Sequence, residues 1–82
     1  MTIAQLNKEI LDVVSRSTET ELELTEKTHL LRQMGLTSVE IMMLISDLED
    51  HFGITIPADS LRGVQIIADL QTLVLDAIRN HG

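Results

Sequence analysis

The chain contains no cysteine, tryptophan or tyrosine, and only one phenylalanine and one proline among its 82 residues. Without cysteine there is no disulfide framework and no thiolate metal site, and nothing demands an oxidising compartment. Without aromatic platforms a nucleic-acid base has nothing to stack on, and a net charge of −7 repels a phosphate backbone, which excludes nucleic acid as a partner. No apolar run approaches the roughly 20 residues that span a bilayer, and the first residues lack the basic-then-apolar order of a secretory signal. The expected location is the cytoplasm, with no membrane partner.

What is present is 44% apolar residues, ample for a compact core. At this length the whole chain, 1–82, reads as a single small domain, which buries only about 60–65% of its unfolded surface. The acidity is unevenly placed. Residues 1–16 balance Lys8 and Arg16 against Glu9 and Asp12, whereas residues 38–52 carry Glu40, Asp47, Glu49 and Asp50 and no lysine or arginine. Such a field favours basic protein surfaces.

Ile3, Leu6, Ile10, Val13 and Val14 recur at three- and four-residue steps, the spacing of a helix capped by Thr2. The pattern fades after Arg16. The polar stretch Glu19 to Glu26 reads as an extended loop anchored by Leu22 and Leu24, because no second strand is available to pair with it. The connection continues to about residue 36, with Leu30, Leu31, Met34 and Leu36 placed to pin it across the bundle. Thr37-Ser38-Val39-Glu40 fits a capping box, a hydroxyl residue with Glu three positions on, and opens a second helix running to Phe52. Ile41, Met42, Leu44, Ile45, Leu48 and Phe52 form its expected buried stripe, with Glu40, Asp47, Glu49 and Asp50 outside; Gly53 ends it. Pro57 keeps Ile54–Pro57 extended, Asp59 or Ser60 caps a brief turn ending near Gly63, and a last helix spans 67–79, burying Ile67, Leu70, Leu73 or Val74, and Ile78. The fold class is all-α: a four-helix bundle of three main helices and a short third helix, with a long loop after the first.

Ser38 stands where a flexible acidic segment becomes a rigid helix, an exposed hydroxyl better suited to attachment than to catalysis. Nucleophilic catalysis needs a histidine base within reach. His51 lies thirteen residues further along the same helix, about 20 Å away, and His29 and His81 are tied to Ser38 by no motif. Asp47 and His51, four apart, read as a solvated pair rather than a metal site. Met34 and Met42 read as core fillers, and Met43 as partly exposed beside Val39, where apolar groups form a small contact patch.

The order Thr28-His29-Leu30, Met34-Gly35-Leu36, Thr37-Ser38-Val39, then Leu48-Glu49-Asp50-His51-Phe52-Gly53-Ile54 and Ile56-Pro57, resembles acyl carrier proteins over about residues 3–80. The resemblance implies a right-handed four-helix bundle and a 4′-phosphopantetheine arm on Ser38, joined through a phosphodiester. It also implies a carrier rather than an enzyme: a monomer that holds acyl or aminoacyl groups as thioesters. The implied partners are a phosphopantetheinyl transferase using coenzyme A, and acyl-loading, condensing or acyltransferase enzymes with basic docking patches. The family usually shows Asp-Ser-Leu where this chain has Thr37-Ser38-Val39. Met43, Arg32 and Gln33 likewise fall where fatty-acid carriers commonly place acids. The surface beside Ser38 is therefore less acidic than in a fatty-acid carrier, which points to a stand-alone polyketide, nonribosomal peptide or specialised lipid pathway. The alternative is an unmodified helical interaction domain that keeps the fold and has lost the arm.

Overall fold

The structure, a computed structural model, describes residues 2–81. It is the expected helical bundle: α1 (Ile3–Thr18), α2 (Ser38–Phe52), a 3₁₀ segment (Ala58–Gly63) and α3 (Ile67–His81). Among the described residues there is no strand, only an isolated antiparallel bridge between His29 and Ile66.

Helix α1 begins with Thr2 as cap, as its sequence suggests. Its box is closed by Gln5, whose backbone N–H donates to Thr2 Oγ1 (3.1 Å) while its Oε1 accepts from the Thr2 N–H (2.9 Å). The helix outlasts its apolar periodicity by two residues, and in its last turn the Thr18 hydroxyl donates back to the Val14 carbonyl at 2.7 Å. It stops at Glu19, held in the left-handed region at φ 53°. Leu6, Ile10, Val13 and Val14 are buried, but Ile3 is 57% exposed. At the first turn it extends past the core, so its helical register does not bury it.

Helix α1 packs against both α2 and α3. Ile10, Val14, Leu30, Leu44, Leu48, Ile67, Leu70 and Val74 are fully enclosed at the centre. Full burial of each such side chain contributes about 1.5–3 kcal/mol. On α3, Ile67, Leu70 and Val74 are buried as expected, whereas Ile78 is 38% exposed near the helix end. Gln71 is also buried, and its Nε2 has no hydrogen-bond partner among the described residues.

The long loop is less free than its polarity suggests. Its backbone is bonded to the start of α3: Leu30 N–H donates to Gln65 O (2.9 Å), Ile67 N–H to Thr28 O (3.0 Å) and Ala68 N–H to Glu26 O (2.9 Å). Thr28 is buried, and its Oγ1 accepts from the Thr25 N–H. Of the expected pins, Leu30 and Leu36 are buried and Met34 and Leu24 pack against the core, but Leu22 and Leu31 are about half exposed. Those two sit where the loop runs over the surface, and the hydrogen bonds to α3 do the fastening in their place.

At its far end α2 stops on Gly53, whose φ of 64° suits a residue without a Cβ. Glu49 lies half-buried rather than outside. Its carbonyl accepts from the Gly53 and Ile54 N–H groups, and its Oε2 accepts from the Ile56 N–H at 2.8 Å. The 3₁₀ segment starts without a side-chain cap, correcting the expectation for Asp59 or Ser60; the Ser60 N–H bonds to the Pro57 carbonyl instead. The capping role falls to Asp69, whose Oδ2 accepts from the Gln65 and Ile66 N–H groups at the entry to α3.

Candidate functional site

Ser38 is the first residue of α2, directly after the cap Thr37. Thr37 has extended backbone (φ −81°, ψ 167°), which turns the chain from loop into helix. Its Oγ1 accepts from the Glu40 N–H at 3.1 Å, and Glu40 Oε1 accepts from the Thr37 N–H at 3.0 Å. Ile41 N–H then donates to the Thr37 carbonyl, the first bond of the helical ladder. The box leaves the Ser38 hydroxyl out. It also leaves the N–H groups of Ser38 and Val39 unclaimed by the helix, as the first positions of any helix are. An exposed hydroxyl therefore stands at the positive end of the α2 dipole, beside two free donors.

The surface around it is apolar. Val39, Met42 and Met43 are 64%, 54% and 62% exposed. The exposure of Met43 agrees with its expected position, but Met42 was expected in the core. The buried residues Ile41, Leu44, Ile45 and Leu48 form a narrow stripe, and Met42 lies about 100° round the helix from Ile41. The exposed patch is thus three residues instead of two. Glu40 is engaged in the cap, and Asp47 lies further along, lining with Met43 a groove between the end of α1 and the start of α2.

Neither described histidine side chain serves Ser38. His29 Nδ1 accepts from the Arg32 N–H at 3.2 Å inside its own turn. His51 Nε2 lies 3.4 Å from Glu9 Oε1 across the α1–α2 interface, with its ring edge-on to Phe52. The expected pairing of His51 with Asp47 is therefore replaced by one with Glu9. No sequence spacing signals it, because the two residues are brought together only when α1 docks on α2. The His81 side chain lies outside the described residues. Among the described residues no three His, Asp or Glu side chains are grouped to hold a metal.

A family model described as the phosphopantetheine attachment site matches residues 8–73. The chain belongs to that family, the acyl carrier proteins, and its cofactor is covalently attached 4′-phosphopantetheine. Among curated relatives it is 36% identical over 55 residues to a Caulobacter vibrioides protein named "Probable acyl carrier protein", and 29% identical over 56 residues to the acyl carrier protein of Saccharopolyspora erythraea. These matches cover 67% and 68% of this chain, and 64% and 59% of the two relatives' own lengths. A solved structure from Mycobacterium tuberculosis, provisionally named an acyl carrier protein, superposes with a TM-score of 0.80 at 25% identity, over 87% of this chain and 96% of that one. The acyl carrier protein of Thermotoga maritima, at 18% identity, shares the fold with a TM-score of 0.81, over 98% of this chain and 94% of its own.

The start of α2 fits the cofactor chemically. A phosphodiester needs a hydroxyl free of other bonds, space around it and stabilisation of its negative charge. Ser38, its exposure and the unclaimed first-turn N–H groups meet those needs.

Proposed function

We propose that this chain carries acyl or aminoacyl intermediates and that Ser38 is the residue bearing its phosphopantetheine arm. One observation carries the assignment: a capping box that secures the start of α2 with Thr37 and Glu40 while leaving the intervening serine unbonded and exposed. When bound, the arm supplies a thiol, absent from this cysteine-free chain, on which acyl groups are held as thioesters. The chain's own part is to fix the arm's root, stabilise its phosphate with the N–H groups of Ser38 and Val39, and present one face to partner enzymes.

The docking face in this reading is α2. Val39, Met42 and Met43 form an apolar centre, with Asp47 and Asp50 as an acidic rim that steers basic partners. The proposed partners are a phosphopantetheinyl transferase and the loading, condensing or acyltransferase enzymes of one dedicated pathway. That pathway is of polyketide, nonribosomal-peptide or specialised-lipid type, because Met43 and the neutral Thr37 stand where fatty-acid carriers commonly have acids. We place the protein in the cytoplasm as a monomer; among the described residues no helix is long and apolar enough to cross a membrane.

Incubation with coenzyme A and a promiscuous phosphopantetheinyl transferase, followed by intact-mass measurement, tests the assignment. The expected result is one phosphopantetheinyl adduct on the wild type and none on Ser38→Ala. An adduct that survives Ser38→Ala would place the arm elsewhere. An unmodified wild type that still forms a stable partner complex would favour the second reading, an armless interaction domain, for which the loss of charge at Thr37 is the supporting observation.

A further inference from the structure

The turn that delivers the chain to Ser38 is capped by an imidazole. His29 Nδ1 accepts from the Arg32 N–H (3.2 Å), and Gln33 Oε1 accepts from the His29 N–H (2.7 Å). This resembles the boxes at Thr2–Gln5 and Thr37–Glu40, with a ring nitrogen where those have a hydroxyl and with the two bonds divided between Arg32 and Gln33 rather than returned by one residue. The substitution changes the chemistry. A backbone N–H can only donate, so Nδ1 must present its lone pair, and the neutral ring carries its proton on Nε2. A hydroxyl cap keeps its acceptor at every pH of interest. Histidine is the side chain whose charge changes between about pH 5 and 8.

We propose that His29 is a proton-operated latch on residues 29–36, the segment leading into the α2 cap. Protonation places a second N–H on the ring at Nδ1, which then faces the Arg32 N–H donor to donor. One proton therefore costs one hydrogen bond, and the latch is closed with neutral imidazole and opens as pH falls. The remaining bonds of the turn are backbone bonds that depend on its shape: Gln33 and Met34 N–H to the His29 carbonyl, Gly35 N–H to Leu31 O, and Leu36 N–H to Leu30 O. Leu30 and Leu36 are buried at the two ends of the turn, and Thr37 follows at once.

The surrounding charges do not offset the loss. The surface recess at the ring is lined by His29, Leu31, Arg32 and Gln65, so its other charged side chain is a cation. From the α3 side the nearest acid in the chain is Asp69, whose Oδ2 already accepts from two N–H groups, Gln65 and Ile66. From the loop, Glu26 and Lys27 precede the bridge with opposite charges. The latch belongs to the chain alone; only its effect on Ser38 rests on the carrier reading above.

The test uses the unmodified full chain, so failure of the Ser38 assignment leaves it intact. Long-range ¹H–¹⁵N NMR at neutral pH should show His29 as the Nε2–H tautomer; an Nδ1–H tautomer would overturn the proposal outright. Amide hydrogen exchange at Arg32, Gln33, Met34 and Leu36, corrected for intrinsic rates, should lose protection on the order of fivefold between about pH 8 and pH 5, the size of a lost cap. His29→Asn keeps a capping oxygen that does not titrate in that range and should abolish the change. Protection that stays flat with pH in the wild type, or falls equally in His29→Asn, would defeat the latch.

Discussion

Helices α1 and α2 begin alike and are used differently. Each opens on a threonine cap closed by a side chain three residues on, and each buries four aliphatic residues: Leu6, Ile10, Val13 and Val14 in one, Ile41, Leu44, Ile45 and Leu48 in the other. Their contribution to the core is thus nearly the same. Helix α1 spends its outer face on charged and polar groups, with Ile3 the one large apolar side chain left out. Helix α2 exposes Val39, Met42 and Met43 within its first two turns, beside Ser38. Folding needs nothing from those three, so their exposure is a cost in solubility that a binding role explains. In the proposed reading the surplus apolar residues mark the docking face, whereas the buried ones belong to the shared scaffold.

The comparison breaks most sharply if scaffold and face are mutated in parallel. Leu48→Ala should destabilise the fold by about 2–5 kcal/mol in denaturant unfolding, as should Ile10→Ala on α1. Met42→Ala and Met43→Ala should stay within about 0.5 kcal/mol of wild type while weakening partner binding. A large stability loss at either methionine would return it to the core.

The two caps supply a smaller contrast. Thr37→Ala and Thr2→Ala should each cost about 0.5–2 kcal/mol by thermal or chemical unfolding. Only the first should also slow phosphopantetheinylation, because it loosens the root of the proposed attachment site. Equal effects on loading would show that the cap's role is stability alone.

Helix α3 gives a control outside the pair. Gln71→Leu removes the buried Nε2 donor that has no partner among the described residues, and should stabilise the protein by about 1 kcal/mol without affecting loading. A loss of stability would mean the amide is satisfied in solution. The smallest effect concerns the rim: Asp47→Lys and Asp50→Lys should slow association with a basic partner a few-fold at low salt, and the difference should shrink as ionic strength rises. Rates indifferent to both charge and salt would leave the apolar centre as the whole of the docking face.

Features legible in the sequence are those whose partners lie within one helical turn. The Thr37–Glu40 box and the Gly53 stop depend on spacings of three or four and appear where the pattern puts them; of the six-residue stripe expected on α2, Ile41, Leu44, Ile45 and Leu48 are buried and Phe52 only partly. Met42 was not legible, because two adjacent apolar residues at the edge of a stripe differ only in what lies opposite them. The same holds for Ile3 and Leu22, which match an apolar pattern but have no wall to pack against. His51–Glu9 and the pairing of Thr28, His29 and Leu30 with the start of α3 join residues far apart in the chain, so only the packed bundle reveals them. Ser38 was legible as an exposed hydroxyl at a helix start; the attachment role proposed for it rests on the register of the motifs around it.

Glu49 gives α2 a property that matters at its opposite end. Its carbonyl and carboxylate together clasp Gly53, Ile54 and Ile56, so the tail of α2 is anchored at one residue. A helix of 15 residues is about 22 Å long, which makes it a lever with Ser38 at the tip. A tilt of about 5° at the anchor moves that tip by about 2 Å, while misplacement of reacting groups by about 1 Å can slow a reaction by about a hundredfold. If the arm is rooted at Ser38 as proposed, its aim is set partly by a carboxylate at the other end of the helix.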